Sequence, residues 1–208
     1  MFDAVFFDLD GTLIDTERLA MSATVSAFSA MGFLVEQDFL HSLVGKDMPT
    51  GERMIADRFP LLDLKDLDRR VALAINQELL TGMPLKPGVH DLLAKIGQPK
   101  AIVTSSSRNG AVRKVTQAGL MDVFEHLITL DDVKRAKPAP DPYLLAAQRL
   151  GVAPARCLVF EDSEVGAEAA HAAGMRVVQV PDQVPSKGRF AHHLAIDLLS
   201  GARAAGLI

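Results

Sequence analysis

Ala4-Val5-Phe6-Phe7-Asp8-Leu9-Asp10-Gly11-Thr12-Leu13 sets four apolar residues directly before two carboxylates, a glycine and a hydroxyl. A continuous apolar run suits a strand covered on both faces, as in a parallel sheet. The carboxyl ends of such strands are where open α/β sheets bind ligands, so Asp8 and Asp10 stand where chemistry is expected. Taken alone, D-x-D-G-T also fits a solvated turn in which Asp10 and Gly11 supply the loop chemistry. The rest of the chain decides between the two.

In the second half, apolar runs at Ala101 to Val103, Leu127 to Leu130, Leu158 to Phe160 and Val177 to Val180 alternate with helical patterns. That alternation predicts βαβ units and a parallel sheet. Helices are expected over Gly110 to Gln117 and Pro142 to Leu150, closed by Gly119 and Gly151 at the usual C-terminal position. The stretch from Thr16 to Met83 carries helical periodicity (Leu19, Ala23, Ala27) and no convincing strand, and Gly82, Pro84, Pro87 and Gly88 then punctuate a return to the α/β pattern. The expected fold class is α/β, a Rossmann-like parallel-sheet core (residues 1–15 and 84–208) with an inserted all-helical unit (residues 16–83).

At 208 residues the chain is long enough for one large or two unequal units. A net charge of -4 offers no basic footprint for nucleic acid or an anionic membrane, so a small soluble substrate is expected. No signal peptide and no apolar stretch of about 18 residues is visible. The single cysteine, Cys157, sits in an apolar run and reads as a small buried hydrophobe. A cytoplasmic protein is the simple expectation. The histidines show no metal-ligand spacing; His192 and His193 fall in a polar tail segment.

Three later clusters carry chemistry. Thr104-Ser105-Ser106-Ser107 follows a strand-like run and precedes a helix, where hydroxyls and free N–H groups make an anion site; helix capping by Ser106 or Ser107 explains part of it equally well. Lys137 lies in K-P-A-P-D, a loop stiffened by its prolines. Glu161-Asp162 ends the Leu158 to Phe160 run, and since adjacent strand residues point to opposite faces, the pair converges only if the strand has ended there.

These four motifs, in this order, strongly resemble those of the haloacid dehalogenase superfamily, in its phosphatase and phosphomutase branch, from Met1 to about Pro185. The resemblance implies that Asp8 is a nucleophile forming an aspartyl-phosphate and that Asp10 is the general acid and then base. It implies Mg²⁺, a hard cation suited to oxygen ligands, on Asp8, Asp162 and the Asp10 backbone carbonyl, with Glu161 direct or one water removed. Lys137 would pair with phosphate and Asp8. Alignment with S-x-S-x-N-G puts the phosphate hydroxyl on Ser105, whereas the end of the apolar run points to Thr104; Ser105 is the assignment. Thr104, Ser106, Asn109 and Lys46 are expected to touch substrate.

In this family the helical insertion is a cap that closes over the site and selects the substrate; Lys46, Asp47, Met48 and Arg53 occupy its specificity position. Asp10 argues against dehalogenase and phosphonatase chemistry, which needs no acid for an alkoxide leaving group. Ala20 stands where β-phosphoglucomutase carries a histidine, and Val44, Lys46 and Met48 replace its second-phosphate contacts. Hydrolysis of a sugar or polyol phosphate by a monomer is therefore expected, ahead of a mutase. A non-catalytic phosphometabolite-binding regulator is the reading from another class, disfavoured because every catalytic position is filled.

Overall fold

The strand predicted at the head of the chain forms over Ala4–Phe7 (β1) with all four side chains buried. Because successive side chains point to opposite faces, both faces of β1 are covered. The computed structural model describes residues 1–43, 48–182 and 184–208 (for Met48, the backbone only). β1 is joined by Lys100–Val103 (β2), His126–Ile128 (β3), Cys157–Glu161 (β4), Arg176–Gln179 (β5) and His193–Leu194 (β6). The order is β3-β2-β1-β4-β5-β6 and every pairing is parallel. In this doubly wound order the direction of winding reverses between β1 and β4, and ligands bind in the crevice beyond the carboxyl ends at that point. Phe7 lies opposite both Ile102 and Phe160 and stacks on the Phe160 ring at 5.0 Å between centroids.

The chain divides into two compact units, Met1–Asp15 with Met83–Ile208, and Thr16–Gly82. Met83 belongs to the sheet unit, one residue earlier than the sequence suggests, because its N–H donates to the Gln117 carbonyl. The second unit contains Thr16–Ala30 (α1), Gln37–Leu43 (α2), Met48–Arg58 (α3) and Leu64–Glu78 (α4). Its core gathers Ala27, Phe28, Leu40, Leu62 and Leu67, with the Phe59 ring 5.0 Å from Phe28 and 5.7 Å from Phe39. Lys46 and Asp47 lie outside the described residues, and so does the side chain of Met48.

The sheet unit adds Val89–Lys95 (α5), Arg108–Gln117 (α6), Asp141–Leu150 (α7), Glu164–Ala172 (α8) and Leu198–Ala204 (α9). α6 starts two residues before the predicted helix because Ser107 is its N-cap, accepting from the Gly110 N–H. β3 stops short of Leu130: Thr129 caps a 3₁₀ turn, Leu130–Asp132, and its N–H and hydroxyl both donate to Asp132 Oδ2. The polar tail segment of His192 and His193 supplies β6, since a two-residue strand leaves no alternation for a pattern to reveal, and α9 follows it. Among the described residues no helix is long and apolar enough to cross a membrane.

Candidate active site

Asp8, Thr104 and Asp162 are the first residues past β1, β2 and β4. The ladder holds two of them, since the Asp8 N–H donates to the Phe160 carbonyl at 3.0 Å and the Thr104 N–H to Ile128 at 2.9 Å. Asp8, Asp10, Ser105, Ser106, Lys137 and Asp162 line one pocket of about 320 Å³, with Thr104 in its wall. The strand-end carboxylates, the hydroxyl cluster and the proline-flanked lysine thus meet at the switch point between β1 and β4.

Lys137 is the hub. Its ammonium donates to Asp8 Oδ1 at 2.7 Å, Glu161 Oε1 at 2.6 Å and the Val103 carbonyl at 2.8 Å, with only 4% of the side chain exposed. Burial alone would lower its pKa, but the charges of Asp8 and Glu161 outweigh it and hold the pKa above the ordinary lysine value, so Lys137 stays a cation. Its Nζ also lies 5.1 Å from the centre of the Tyr143 ring. Asp8 is pushed well above the usual carboxylate range, by burial first and by the charges of Glu161 and Asp162 against the pull of Lys137. Burial, then Glu161, raises Asp162 to about 7.

Asp8, Glu161 and Asp162 each offer a carboxylate oxygen within 4.8 Å of the others. This hard-oxygen set carries more negative charge than Lys137 balances, so it fits a divalent cation such as Mg²⁺. The three carboxylates are not equivalent. Glu161 Oε1 accepts from Lys137 and from the Tyr143 hydroxyl at 2.8 Å, and Oε2 accepts from the Ser163 hydroxyl at 3.1 Å. A Cβ on Gly166 would stand 1.8 Å from Oε1, so glycine is needed there for Glu161 to fit. Buried and engaged at both oxygens, Glu161 does not line the pocket, whereas Asp8 and Asp162 do. Glu161 thus orients Lys137 from behind the pocket while keeping a carboxylate oxygen within 4.8 Å of those of Asp8 and Asp162.

Asp10 is held by residues the sequence did not single out together. Lys114 Nζ donates to both Asp10 oxygens, at 2.6 and 2.8 Å, and to Ser106 Oγ at 3.2 Å; the Ser106 hydroxyl donates to Asp10 Oδ2 at 3.0 Å. Ser106, expected to touch substrate, is thus engaged with Asp10. Thr104 is buried with its Oγ1 accepting from the Ser106 N–H, which leaves exposed Ser105 as the more accessible hydroxyl. Asn109 is exposed and outside the pocket lining. Arg108 turns to Asp132.

Lys114, Tyr143 and Ser163 escaped sequence reasoning. Lys114 reads as a solvated charge in an Arg-Lys pair, and Tyr143 as core; the one available signal was that Tyr143 is the chain's only tyrosine, inside an otherwise apolar helix face. Ser163 sits two residues beyond Glu161, caps α8 by accepting from the Gly166 N–H, and donates to Glu161, so one hydroxyl starts the helix and orients the carboxylate.

Residues 5–180 match the family model of the haloacid dehalogenase-like hydrolases. The chain is 35% identical over 185 residues to fructose-1-phosphate phosphatase YqaB of Escherichia coli, covering 86% of this chain and 96% of that one. It is 30% identical to a phosphorylated carbohydrates phosphatase of Thermotoga maritima, over 83% and 82% of the two chains. A crystal structure of a HAD family hydrolase from Deinococcus radiodurans with bound phosphate and sodium superposes with a TM-score of 0.82 at 29% identity, covering 100% of this chain and 97% of that one. With the family's motifs converging at the switch point of its sheet, the chain is an enzyme of the haloacid dehalogenase-like hydrolase family, of the phosphatase type.

Proposed function

We propose that this enzyme hydrolyses a small phosphorylated sugar or polyol through an aspartyl-phosphate on Asp8, with Mg²⁺ as cofactor. The observation that carries the reading is the Asp8–Lys137 pair at the carboxyl end of β1, facing a pocket that Asp10, Ser105 and Asp162 share. Names of relatives such as a fructose-1-phosphate phosphatase favour a sugar phosphate. Ala20, where a mutase carries a histidine, favours hydrolysis over phosphoryl return.

Asp8 and Asp162 would hold the cation, joined by the Asp10 carbonyl, with Glu161 behind them. When bound, it supplies positive charge that lets an anionic carboxylate approach a phosphate dianion. The protein's own groups do the rest. Lys137 occupies Asp8 Oδ1, which leaves Oδ2 to attack phosphorus. As that bond forms, the bond from phosphorus to the sugar oxygen breaks, and Asp10 gives the departing oxygen a proton. Asp10 then takes a proton from water attacking the acyl phosphate, which releases phosphate and restores Asp8. Ser105 and the N-terminal N–H groups of α6 receive the phosphoryl oxygens. By its resemblance to the family's insertion, the helical unit Thr16–Gly82 would select the substrate as a cap, and the enzyme works as a monomer in the cytoplasm.

The test is phosphate release from a panel of phosphorylated sugars, polyols, glycolate and nucleotides, with Mg²⁺ or EDTA, for the native chain and Asp8→Asn. Metal-dependent release that the variant loses, strongest on a sugar or polyol phosphate, is the expected result. Release that persists in Asp8→Asn, or silence across the panel, refutes the reading.

A further inference from the structure

Beside Asp162 stands a second acidic side chain to which neither the four motifs nor the mechanism assigns a part. Asp182 lies three residues past β5, with only 8% of its side chain exposed. Lys86, 96 residues away, donates to Asp182 Oδ1 at 2.7 Å. Oδ2 is fully buried and has no hydrogen-bond partner among the described residues. A buried carboxylate oxygen without a donor has lost its hydration with nothing in return, and such an atom in a native fold calls for an explanation such as a water or ion.

Its direction supplies one. A Cβ built on Gly11 would meet Asp162 Oδ2 at 2.5 Å and Asp182 Oδ2 at 3.4 Å, so both oxygens converge on the space above that glycine. Gly11 lies in the turn after Asp10 with φ +83°, a conformation glycine adopts at no steric cost. The turn therefore brings bare backbone to the edge of the carboxylate cluster. Mg²⁺ gives up its waters reluctantly and is held by few protein carboxylates, so a site with two inner carboxylates needs acceptors for the water it keeps.

We propose that Asp182 is an outer carboxylate of the cation site: pinned through Oδ1 by Lys86, it accepts through Oδ2 a hydrogen bond from a water on the cation held by Asp8 and Asp162. The inference rests on the Mg²⁺-dependent reading above and adds two residues to it, Asp182 as the acceptor and Lys86 as its anchor. Outer partners of this kind alter metal affinity about 10–100-fold when removed.

The test is calorimetric titration of the full chain with Mg²⁺ alone, without substrate, for the native protein, Asp182→Asn and Asp182→Ala, each checked by thermal unfolding. The expected result is an affinity at least about tenfold weaker in Asp182→Ala, with a smaller loss in Asp182→Asn, whose amide oxygen still accepts. The loss is expected to persist in 1 M KCl, where the screening length falls to about 3 Å and long-range charge no longer acts. If Ala fails to fold, Asn carries the test with an expected loss of at least about threefold. Native affinity within twofold in the folded variants, or a loss that vanishes in 1 M KCl, overturns the proposal. A native chain that does not bind Mg²⁺ overturns the metal-dependent reading itself.

Discussion

Replacing Lys137 with methionine removes the one ammonium that joins Asp8, Glu161 and the Val103 carbonyl, while nearly keeping the side chain's length. Glu161 keeps Tyr143 and Ser163, but the buried Asp8 carboxylate loses its donor at a position where burial already raises its pKa. Removing one partner of a buried ion pair costs about 3–5 kcal/mol, because the other charge is left without compensation. At about 2–4 °C per kcal/mol for a chain of this size, the sheet unit's melting temperature should fall by about 6–20 °C. The chain has two compact units, so differential scanning calorimetry in EDTA is the suitable assay: the transition of the helical unit, which contains none of these residues, should stay in place. The deficit should widen with pH. Loss of the ammonium raises the Asp8 carboxyl further, and a group whose folded pKa is raised contributes its stability at low pH and loses it as pH rises through that value. A fall below about 2 °C, or equal falls in both transitions, would refute the view that Lys137 is the electrostatic centre of the site.

Three further outcomes follow from local geometry. Gly166→Ala should lower the melting temperature of the sheet unit, at a cost of about 1–3 kcal/mol from overpacking against Glu161, whereas Gly97→Ala, with nothing within 4 Å of the new Cβ, should not; equal effects would refute the steric account. Lys114→Met should reduce kcat/KM at least about tenfold for an alkyl phosphate, whose leaving oxygen needs the proton Asp10 supplies, and much less for an aryl phosphate, since positioned proton transfer contributes 10²–10⁴-fold; equal losses on both would detach Lys114 from Asp10's role. Asp132 is desolvated, yet donors from Thr129, Arg149 and Arg108 hold its carboxyl down at about 2. Its contribution is therefore full above the ordinary aspartate value and lost as pH falls toward 2, so the gap in melting temperature between the native chain and Asp132→Asn should close over that range.

Much of the site was legible because the motifs are short and three of the four directly follow an apolar run. The strand end that exposes Asp8 is announced by the four residues before it, and the same holds for Thr104 and Asp162. Boundaries were less legible where side chains rather than hydrophobic pattern set them: Ser107 starts α6, and Thr129 with Asp132 stops β3. The place of Glu161 could not be read from a neighbouring Glu-Asp pair, because it depends on Tyr143 and on the missing side chain of Gly166.

From its sequence alone, this protein's fold class, the order of its motifs and the residue types at its reactive tips are determined, since periodicity and turn chemistry act over a few residues. Which groups face one another is decided only in the tertiary structure. Asp10 and Lys114 are 104 positions apart, Asp8 and Lys137 are 129 apart, and Lys86 and Asp182 are 96 apart. The parallel sheet brings the ends of distant strands to one edge, and charges that read singly as solvated acquire partners there because burial makes an unpaired charge too costly to keep.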